Sequence, residues 1–274
     1  MPSVVGFVGA GQMGEPMVIR LLAAGHEVHV YARKDAVADR LRARGAHSAP
    51  SVAALGSCDV VFCTLFSDAQ LEDVALGSGG LIAAMKAGST LVSHTTGSAE
   101  TIRRLADAGE AVGVGVIDAP ISGTAEEILA GTLTVLLGGA PEPIDTVVPI
   151  LDSYARHMIR TGRLGSAVNV KLINNLLFAA NLQLVADAAR IGDELGIEPE
   201  GLLGAIQHCS GSSSATARVV EVGGLLNFVD RARPFLRKDI AVCLDAVRDS
   251  GAQKGVLGRV AVEGPLDFSA VPPR

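Results

Sequence analysis

The chain has 274 residues, of which 49% are hydrophobic, and a formal net charge of −6. That is enough apolar material for two domain cores. The pI near 5.5 and the lack of any run of lysine or arginine exclude the usual electrostatic surface for nucleic acid or an anionic membrane. The first residues lack the charged region and cleavage site of a signal peptide, and no apolar run long enough to span a bilayer is apparent. We therefore expect a cytoplasmic protein acting on a small molecule, with neither nucleic acid nor membrane as a partner.

The first half of the chain alternates strand-like and helix-like segments. An apolar strand at 3–9 precedes a helix at 13–25 and a second strand at 26–32. Further strands are predicted at 60–65, 89–95, 114–121 and 131–139. Alternation of this kind, with nearly continuous apolar strands, favours a parallel sheet with helices on both faces. The fold class predicted for this half is a Rossmann-type, doubly wound α/β domain.

The second half contains only helical patterns. Segment 157–165 is interpreted as the exit from the first domain, and a long helix follows at 166–195. Further helical segments are predicted at 198–210, 215–222 and 236–251, and the tail from 266 is predicted to be irregular. We therefore predict a dinucleotide-binding domain at 1–163 and an all-helical substrate and dimerisation domain at 164–274, joined by the long helix.

Three glycines follow the first strand in G-x-G-x-x-G spacing. Gly9 permits a tight turn, Gly11 lets a pyrophosphate approach the backbone, and Gly14 allows close helix packing. The N-terminus of the following helix faces the anion. A glycine-rich turn without a ligand is the alternative, but the strand, turn and helix context favours a dinucleotide site.

The end of the second predicted strand indicates which dinucleotide is bound. NAD-binding domains place a carboxylate about 20 residues after the glycines, where it binds the ribose hydroxyls. Here Arg33 lies 19 positions after Gly14 and is followed by Lys34. Cations suit a 2′-phosphate, so NADP is favoured over NAD. Asp35 is the counter-argument, although it fits a helix start better, and an exposed surface charge is the alternative reading of Arg33.

The long helix contains an unusual polar group. Lys171 lies in an otherwise mostly apolar segment, so it either extends to water or lies in a polar pocket. Asn174 and Asn175 are three and four positions further on, on the same helix face. This grouping predicts a small polar site, and Asn174 is equally compatible with a supporting role or with a simple buried amide.

Four segments, taken in order, resemble the β-hydroxyacid dehydrogenases, which include 3-hydroxyisobutyrate dehydrogenase and the tartronate semialdehyde and glyoxylate reductases. The segments are GFVGAGQMG at 6–14, DAPISGT at 118–124, GRLGSAVNVKLINN at 162–175 and RKDIAVCLD at 237–245. The resemblance implies hydride transfer between a nicotinamide cofactor and a small 3-hydroxy acid, or its semialdehyde or 2-oxo acid. It also implies a small carboxylic acid as substrate.

The resemblance assigns roles to particular residues of this chain. It implies that Lys171 is the general acid and base, that Asn175 orients the substrate, and that Ser122 and Gly123 bind the substrate carboxylate. Lysine can accept the hydroxyl proton if a partly dry pocket lowers its pKa.

The remaining implied residues belong to the cofactor. In the first segment Gln12 and Met13, with the three glycines, are implied to bind the dinucleotide. Thr96 is similar to a threonine beside the nicotinamide, and Lys238 is similar to a lysine that closes over the cofactor. A surface lysine paired with the next residue, Asp239, is the alternative for Lys238.

The chain also departs from the family pattern. The small residues usual after the carboxylate-binding turn are replaced by Glu126 to Leu129, the third glycine of the lysine motif is Ala167, and the C-terminal region is short. Substrate identity and the direction of the reaction are therefore left open. An imine reductase and a non-catalytic NADPH-binding protein are the alternative functions. Retention of Lys171 with Asn175 argues against the first, and the presence of Lys171, Ser122 and Asn175 together argues against the second.

Three further expectations concern partners, metals and one histidine. A homodimer or homotetramer is favoured by the long apolar helix and by the resemblance. No metal site is predicted, because the four cysteines lack C-x-x-C spacing and the histidines do not cluster with them, so we expect buried free thiols. His94 is interpreted as a structural hydrogen-bond donor rather than a base.

Overall fold

The computed structural model describes residues 3–268. Its sheet contains nine strands within those residues, in the order β3-β2-β1-β4-β5-β6-β8-β7, and β9 pairs with β8. The strands are β1 Val4–Val8, β2 Glu27–Tyr31, β3 His47–Ser48, β4 Val60–Cys63, β5 Thr90–Ser93, β6 Gly115–Asp118, β7 Ile121–Ser122, β8 Leu133–Gly138 and β9 Ala155–Gly162. Neighbouring strands from β1 to β6 are parallel, whereas β8 runs antiparallel to β6 and β7.

The helices fall into two groups along the chain. Those of the first group are α1 Gly14–Ala23, α2 Asp35–Arg42, α3 Asp68–Leu76, α4 Leu81–Ala84, α5 Ala99–Glu110, α6 Ala125–Ala130 and α7 Pro141–Leu151. Those of the second group are α8 Ser166–Glu194, α9 Pro199–Ile206, α10 Ser214–Glu221, α11 Leu225–Asp249 and α12 Gly255–Glu263. The chain divides into two compact units after Lys171, within α8. The predicted boundary at 163 and 164 lies just before that helix.

The sheet of the first unit is covered on both faces. Val5 and Phe7 of β1 belong to one core, together with side chains of α1, α2 and α7. Val8 of β1 and Val61 of β4 belong to the core on the other face, with side chains of α3, α4 and α5. This alternation follows from the two-residue period of a strand. The predicted doubly wound fold class, with a helical C-terminal part, is confirmed.

One segment was predicted wrongly. Residues 157–162, interpreted as an exit linker, form most of β9, which pairs in parallel with β8. The strand is exposed along most of its length, so it carries no apolar period that would reveal it in the sequence. The sheet is mixed at this side because β8 runs antiparallel to β6 and β7, and β9 extends it as a strand parallel to β8.

The second unit has its own core, formed by α8 to α12. Leu172 and Leu176 of α8 pack with Leu236 and Ile240 of α11. Helix α11 starts at Leu225, well before the predicted 236. The sequence prediction missed its first part because a proline such as Pro234 normally ends or kinks a helix. Helix α12 was not predicted. Helix α8 is long and apolar enough to cross a bilayer, contrary to the expectation from the sequence. Half of its most apolar stretch is buried, however, as in the core helix of a folded domain.

His94 follows β5 and is buried under the sheet edge, with 3% of its surface exposed. Its Nδ1 pairs with the carbonyl of Ala119, so that nitrogen carries the proton. Its Nε2 then accepts the hydroxyl hydrogen of Tyr154 at 2.8 Å. Burial lowers the pKa of His94 to about 4, so the ring is neutral near pH 7. The geometry agrees with a structural rather than a catalytic histidine.

The buried neutral ring predicts a loss of stability in acid. The pKa of His94 in the folded state lies below its unfolded value near 6.5. Between pH 6.5 and pH 4 the imidazole is therefore protonated in the unfolded state but neutral in the folded state. We expect the free energy of unfolding to fall by roughly 3 kcal/mol across that window. His94→Gln should remove most of this slope in urea unfolding, whereas His157→Gln, at an exposed site, should keep it. Equal slopes in both variants would contradict the assignment.

Candidate functional site

The predicted site residues of the first unit gather at one edge of the sheet. Strands β1, β4, β5 and β6 are parallel, so their carboxyl ends meet at the same edge. Gly9 follows β1, Thr96 comes shortly after β5, and Ser122 lies just beyond β6. In open α/β sheets ligands bind outside this edge.

The glycine loop connects β1 to α1 and has the geometry that its spacing predicts. Gly9 has φ +93°, and a Cβ there would lie 2.1 Å from the carbonyl oxygen of Thr64. A Cβ at Gly14 would lie 2.2 Å from the carbonyl oxygen of Gly9. Gly11 is exposed, with open space where a Cβ would be. The backbone is therefore accessible to a bulky anion in front of the α1 N-terminus.

A cleft of about 690 Å³ opens beside this loop. Gly9, Gly11, Gln12, Arg33 and Lys34 contribute to its wall. The loop and the end of β2 thus line one cavity, as dinucleotide binding requires. Met13 packs against the core beneath α1 and is not part of that wall.

The cleft carries a second arginine that the sequence reasoning missed. Arg40 on α2 lines the cleft and forms a two-point ion pair with Glu15, at 3.0 and 2.7 Å. The guanidinium holds the pKa of Glu15 below its ordinary value. Asp35 is the first residue of α2, as expected, and does not line the cleft. Glu15 lies on α1 and Arg40 on α2, so no local sequence pattern reveals that they form an ion pair.

Asp118, the last residue of β6, anchors the start of α8. Its two carboxylate oxygens accept the N–H groups of Gly165 at 2.8 Å and Val168 at 2.9 Å. Asp118 is fully buried. Burial raises its pKa, and the backbone donors oppose that shift. A Cβ at Gly138 would lie 2.4 Å from its Oδ1, so a glycine is needed to admit the carboxylate.

Lys171 lies one turn beyond this anchor. It belongs to the same compact unit as the glycine loop and is only partly exposed. Because Val168 is three residues earlier on the same helix, Asp118 fixes the turn that carries Lys171. The sequence predicted Lys171 but not its support, since Asp118 is 53 residues away along the chain.

The turn predicted to bind a carboxylate follows β7. Ser122 is partly buried, and Gly123 is exposed with φ +145°. Thr124 caps α6, and Glu127 completes a capping box with it. Of the residues that replace the usual small ones, Ile128 is a fully buried core residue and Leu129 is 49% exposed.

The second unit holds Asn175 and Lys238, joined through Asp239. Asn175 Nδ2 donates to Asp239 Oδ2 at 2.6 Å, and Asn174 Nδ2 donates to Asn175 Oδ1 at 3.1 Å. Lys238 Nζ lies 2.6 Å from Asp239 Oδ1. Asp239 is 5% exposed, and the Lys238 ammonium balances its charge while the Asn175 amide donates a hydrogen bond to it. The sequence allowed either a cofactor-binding role for Lys238 or a simple pairing with Asp239, and the structure contains that pairing. Lys238 lies in the middle of α11 rather than near the helix start predicted at 236.

The cysteines are distributed over both units, and Cys63 ends β4 at this edge of the sheet. Cys58, Cys63 and Cys243 are buried free thiols, whereas Cys209, predicted to be buried, is exposed after α9. Among the described residues, ligand atoms of Glu27, His29 and His47 approach within 4.8 Å. Glu27 starts β2, at the end opposite the glycine loop, and its carboxylate pairs with His29 at 2.9 Å.

Comparison with known proteins decides the family. Residues 4–162 match the family model of the NAD binding domain of 6-phosphogluconate dehydrogenase. Residues 165–261 match that of the NAD-binding domain of NADP-dependent 3-hydroxyisobutyrate dehydrogenase. The chain belongs to the β-hydroxyacid dehydrogenase family. The predicted NAD(P)-dependent oxidoreductase activity on hydroxy acids is therefore confirmed at the level of the family.

Individual relatives cover most of this β-hydroxyacid dehydrogenase. The 3-hydroxyisobutyrate dehydrogenase of Pseudomonas aeruginosa is 33% identical over 77% of this chain and 71% of its own length. A structure of Mycobacterium tuberculosis 3-hydroxyisobutyrate dehydrogenase with L-serine is 26% identical, with a TM-score of 0.84 over 98% of each chain. Psf3 in complex with NADP⁺ and 2-OPP is 26% identical, with a TM-score of 0.75 over 94% of this chain and 98% of its own. An imine reductase from Myxococcus stipitatus, at 18% identity and a TM-score of 0.71 over 95% of this chain and 92% of its own, shares the fold alone.

The Asp118 anchor leads to a test within this dehydrogenase. Asp118→Asn replaces an acceptor by a donor facing two buried N–H groups, so we expect a loss of about 1–3 kcal/mol in the free energy of unfolding. Displacement of the Lys171 turn should also lower kcat by about tenfold or more. Urea unfolding and steady-state kinetics measure both. Asp107→Asn, at an exposed site on α5, should change neither, and an Asp118→Asn enzyme with unchanged stability and kcat would refute the anchor.

Proposed function

We propose that this chain interconverts a small 3-hydroxy acid and the corresponding semialdehyde with NADP(H), using Lys171 as the general acid and base. The observation that carries the proposal is the position of Lys171. It lies one turn after a helix start that Asp118 fixes at the carboxyl edge of the sheet. The glycine loop and the Ser122 turn follow strands at that same edge.

Each part of the proposed reaction is assigned to particular residues. Ser122 Oγ and the Gly123 N–H are donors suited to hold one end of the substrate. In oxidation Lys171 Nζ, in its neutral form, accepts the hydroxyl proton while the carbon gives up a hydride. The nicotinamide supplies the hydride acceptor when it is bound. In reduction Lys171 returns the proton to the carbonyl oxygen, so protons and electrons balance in both directions.

Asn175 is proposed to place the substrate oxygen beside Lys171. The two residues are four positions apart in one continuous helix and so share a face. Asp239 accepts from Asn175 Nδ2 and thereby orients the amide. Asn174 is exposed and donates a hydrogen bond to Asn175, which favours a supporting role for it. Thr96 and Lys238 are proposed to contact the cofactor.

NADP is proposed as the preferred cofactor. Arg33 and Lys34 line the cleft at the end of β2. The acidic residues of the cleft wall are Glu15, which Arg40 already pairs, and Asp73 on α3. The cleft therefore offers cations where a 2′-phosphate lies and no carboxylate at the end of β2 for the NAD ribose. The NADP⁺ named in the Psf3 complex is consistent with this proposal.

The preference is tested at Arg33. Arg33→Asp should weaken NADPH binding by about 1–3 kcal/mol, because a charge-assisted contact is lost, and should improve NADH binding relative to NADPH. Fluorescence titration with each cofactor measures both affinities. Arg156→Asp makes the same charge change at an exposed site outside the cleft wall and should have little effect. Equal affinity of the unmodified protein for the two cofactors would end the proposal.

Lys171 is tested by two substitutions. Lys171→Ala removes the proton acceptor, and Lys171→Arg keeps the charge but cannot release a proton near neutral pH. We expect both to lower kcat by about 100-fold to 10,000-fold, the range that general acid and base groups contribute. Lys171 does not line the dinucleotide cleft, so both variants should bind NADPH normally. An arginine variant with near-normal kcat would show that charge alone is needed.

Homo-oligomerisation is proposed from the exposed face of α8. Ile173, Leu177, Leu184 and Ile191 are 45–57% exposed and recur at intervals of four and seven residues. Such an apolar stripe on a helix is typical of a helix–helix interface. We propose that a second copy of the chain covers it, in a homodimer or homotetramer. A molar mass in solution equal to that of one chain would contradict this.

A further inference from the structure

Two histidines and a glutamate lie side by side at the edge of the sheet, outside the wall of the dinucleotide cleft. Strand β3 is the edge strand and pairs in parallel with β2, which places His29 of β2 directly opposite His47 of β3. Glu27 is two positions before His29 on the same strand, so all three side chains leave the sheet on the same face. His29 and His47 are on different strands, so no short ligand spacing in the sequence indicates the pair.

The potential ligand atoms of these three side chains are close enough to share one ion. All of them lie within 4.8 Å of one another. Glu27 Oε1 is 2.9 Å from His29 Nε2, and the rings of His29 and His47 stack with their centroids 4.9 Å apart. Bonds of about 2.0–2.2 Å put neighbouring donor atoms of a tetrahedral zinc site roughly 3.5 Å apart. Small rotations of the exposed Glu27 and His47 side chains bring the donors to that spacing.

Arg42, a cation near β3, is engaged on the other face of the sheet. Its Nη2 donates to Ser48 Oγ at 3.1 Å, and its Nη1 pairs with Asp39 at 2.8 Å. Ser48 follows His47 on β3, so the two side chains point to opposite faces. The guanidinium is therefore held by partners on the face opposite the histidine pair, where it does not take the place of a metal ion.

We propose that Glu27, His29 and His47 form a binding site for a divalent transition-metal ion, with Zn²⁺ as the best fit. Two imidazole nitrogens and one carboxylate oxygen suit zinc, whereas Mg²⁺ and Ca²⁺ prefer oxygen ligands alone. Three protein ligands leave the fourth position of the ion to water. Because its ligands come from β2 and β3, the ion fastens the two-residue edge strand to the sheet.

Calorimetric titration with ZnCl₂ under reducing conditions tests the site without substrate or cofactor. We expect the site to take one zinc ion per chain and no magnesium. His29→Gln and His47→Gln each remove one ligand and should weaken zinc binding by about 100-fold, because loss of a residue that only orients a ligand already costs about 10-fold to 100-fold. Glu27→Gln should weaken binding at least tenfold by the same reasoning.

His208 and Cys209 provide the matched controls. They are adjacent, both are exposed, and an imidazole beside a thiol also attracts zinc. His208→Gln makes the same change as His47→Gln outside the proposed site, and Cys209→Ser removes the exposed thiol. Both variants should bind zinc at the proposed site with unchanged affinity. Thermal unfolding of every variant in the absence of zinc checks the fold.

Limited proteolysis tests whether the ion fastens β3. Arg44 is exposed between α2 and β3, three residues before His47, and trypsin cleaves after arginine when this segment opens. An ion that binds only the closed form suppresses the opening, so zinc at about ten times its dissociation constant should slow cleavage after Arg44 about tenfold. Zinc should not slow cleavage of His47→Gln, a variant that also controls for any effect of zinc on the protease.

The outcomes decide the proposal independently of the dehydrogenase reaction. Absence of zinc binding, unchanged affinity in His29→Gln and His47→Gln, or equal binding of Mg²⁺ would overturn it. Zinc binding that is lost in Cys209→Ser but kept in His47→Gln would assign the ion to the exposed thiol and would also overturn it. Unchanged proteolysis of the zinc-bound protein would contradict the fastening of β3.

Discussion

The start of α8 is held at the carboxyl edge of the sheet by one buried carboxylate. Asp118 ends β6 and accepts two N–H groups at the start of α8, so a strand of the sheet and the helix carrying Lys171 are held by the same side chain. The cost of burying a charge is offset by these charge-assisted hydrogen bonds. Gly138 leaves the space that the carboxylate needs. The proposed chemistry of Lys171 therefore depends on a fully buried residue that binds the backbone of α8.

Much of the first unit could be predicted from local patterns. Apolar strands, the glycine spacing and the helix that follows are encoded in short stretches, and the structure shows β1, α1 and β2 at those places. Strand β9 was missed because an exposed strand has no apolar period, and its pairing with β8 is decided by distant residues. Helix α11 begins earlier than predicted and continues through Pro234, a residue type that normally disrupts a helix interior and so hid the first part of the helix in the sequence.

The residues of the candidate site likewise divide into those recognisable in short stretches of sequence and those whose role depends on contacts with distant residues. Lys171 and the glycines could be named from their residue types and spacing, whereas Ser122 was named through the resemblance to the family. Asp118 and Arg40 could not be assigned their roles, since their partners lie in other elements. Glu127 was recognised as a departure from the family, but only the structure shows that its carboxylate occupies the turn.

The central claim is that Lys171 transfers a proton, and chemical rescue tests it most directly. The Lys171→Ala enzyme, saturated with NADP⁺ and substrate, is assayed with added primary amines of different pKa. The account predicts that the rate rises with the concentration of unprotonated amine, and that amines of different basicity follow a Brønsted relation. Tetramethylammonium, which has charge but no exchangeable proton, should not restore the rate. Equal restoration by tetramethylammonium, or no rescue by any small amine, would contradict the account.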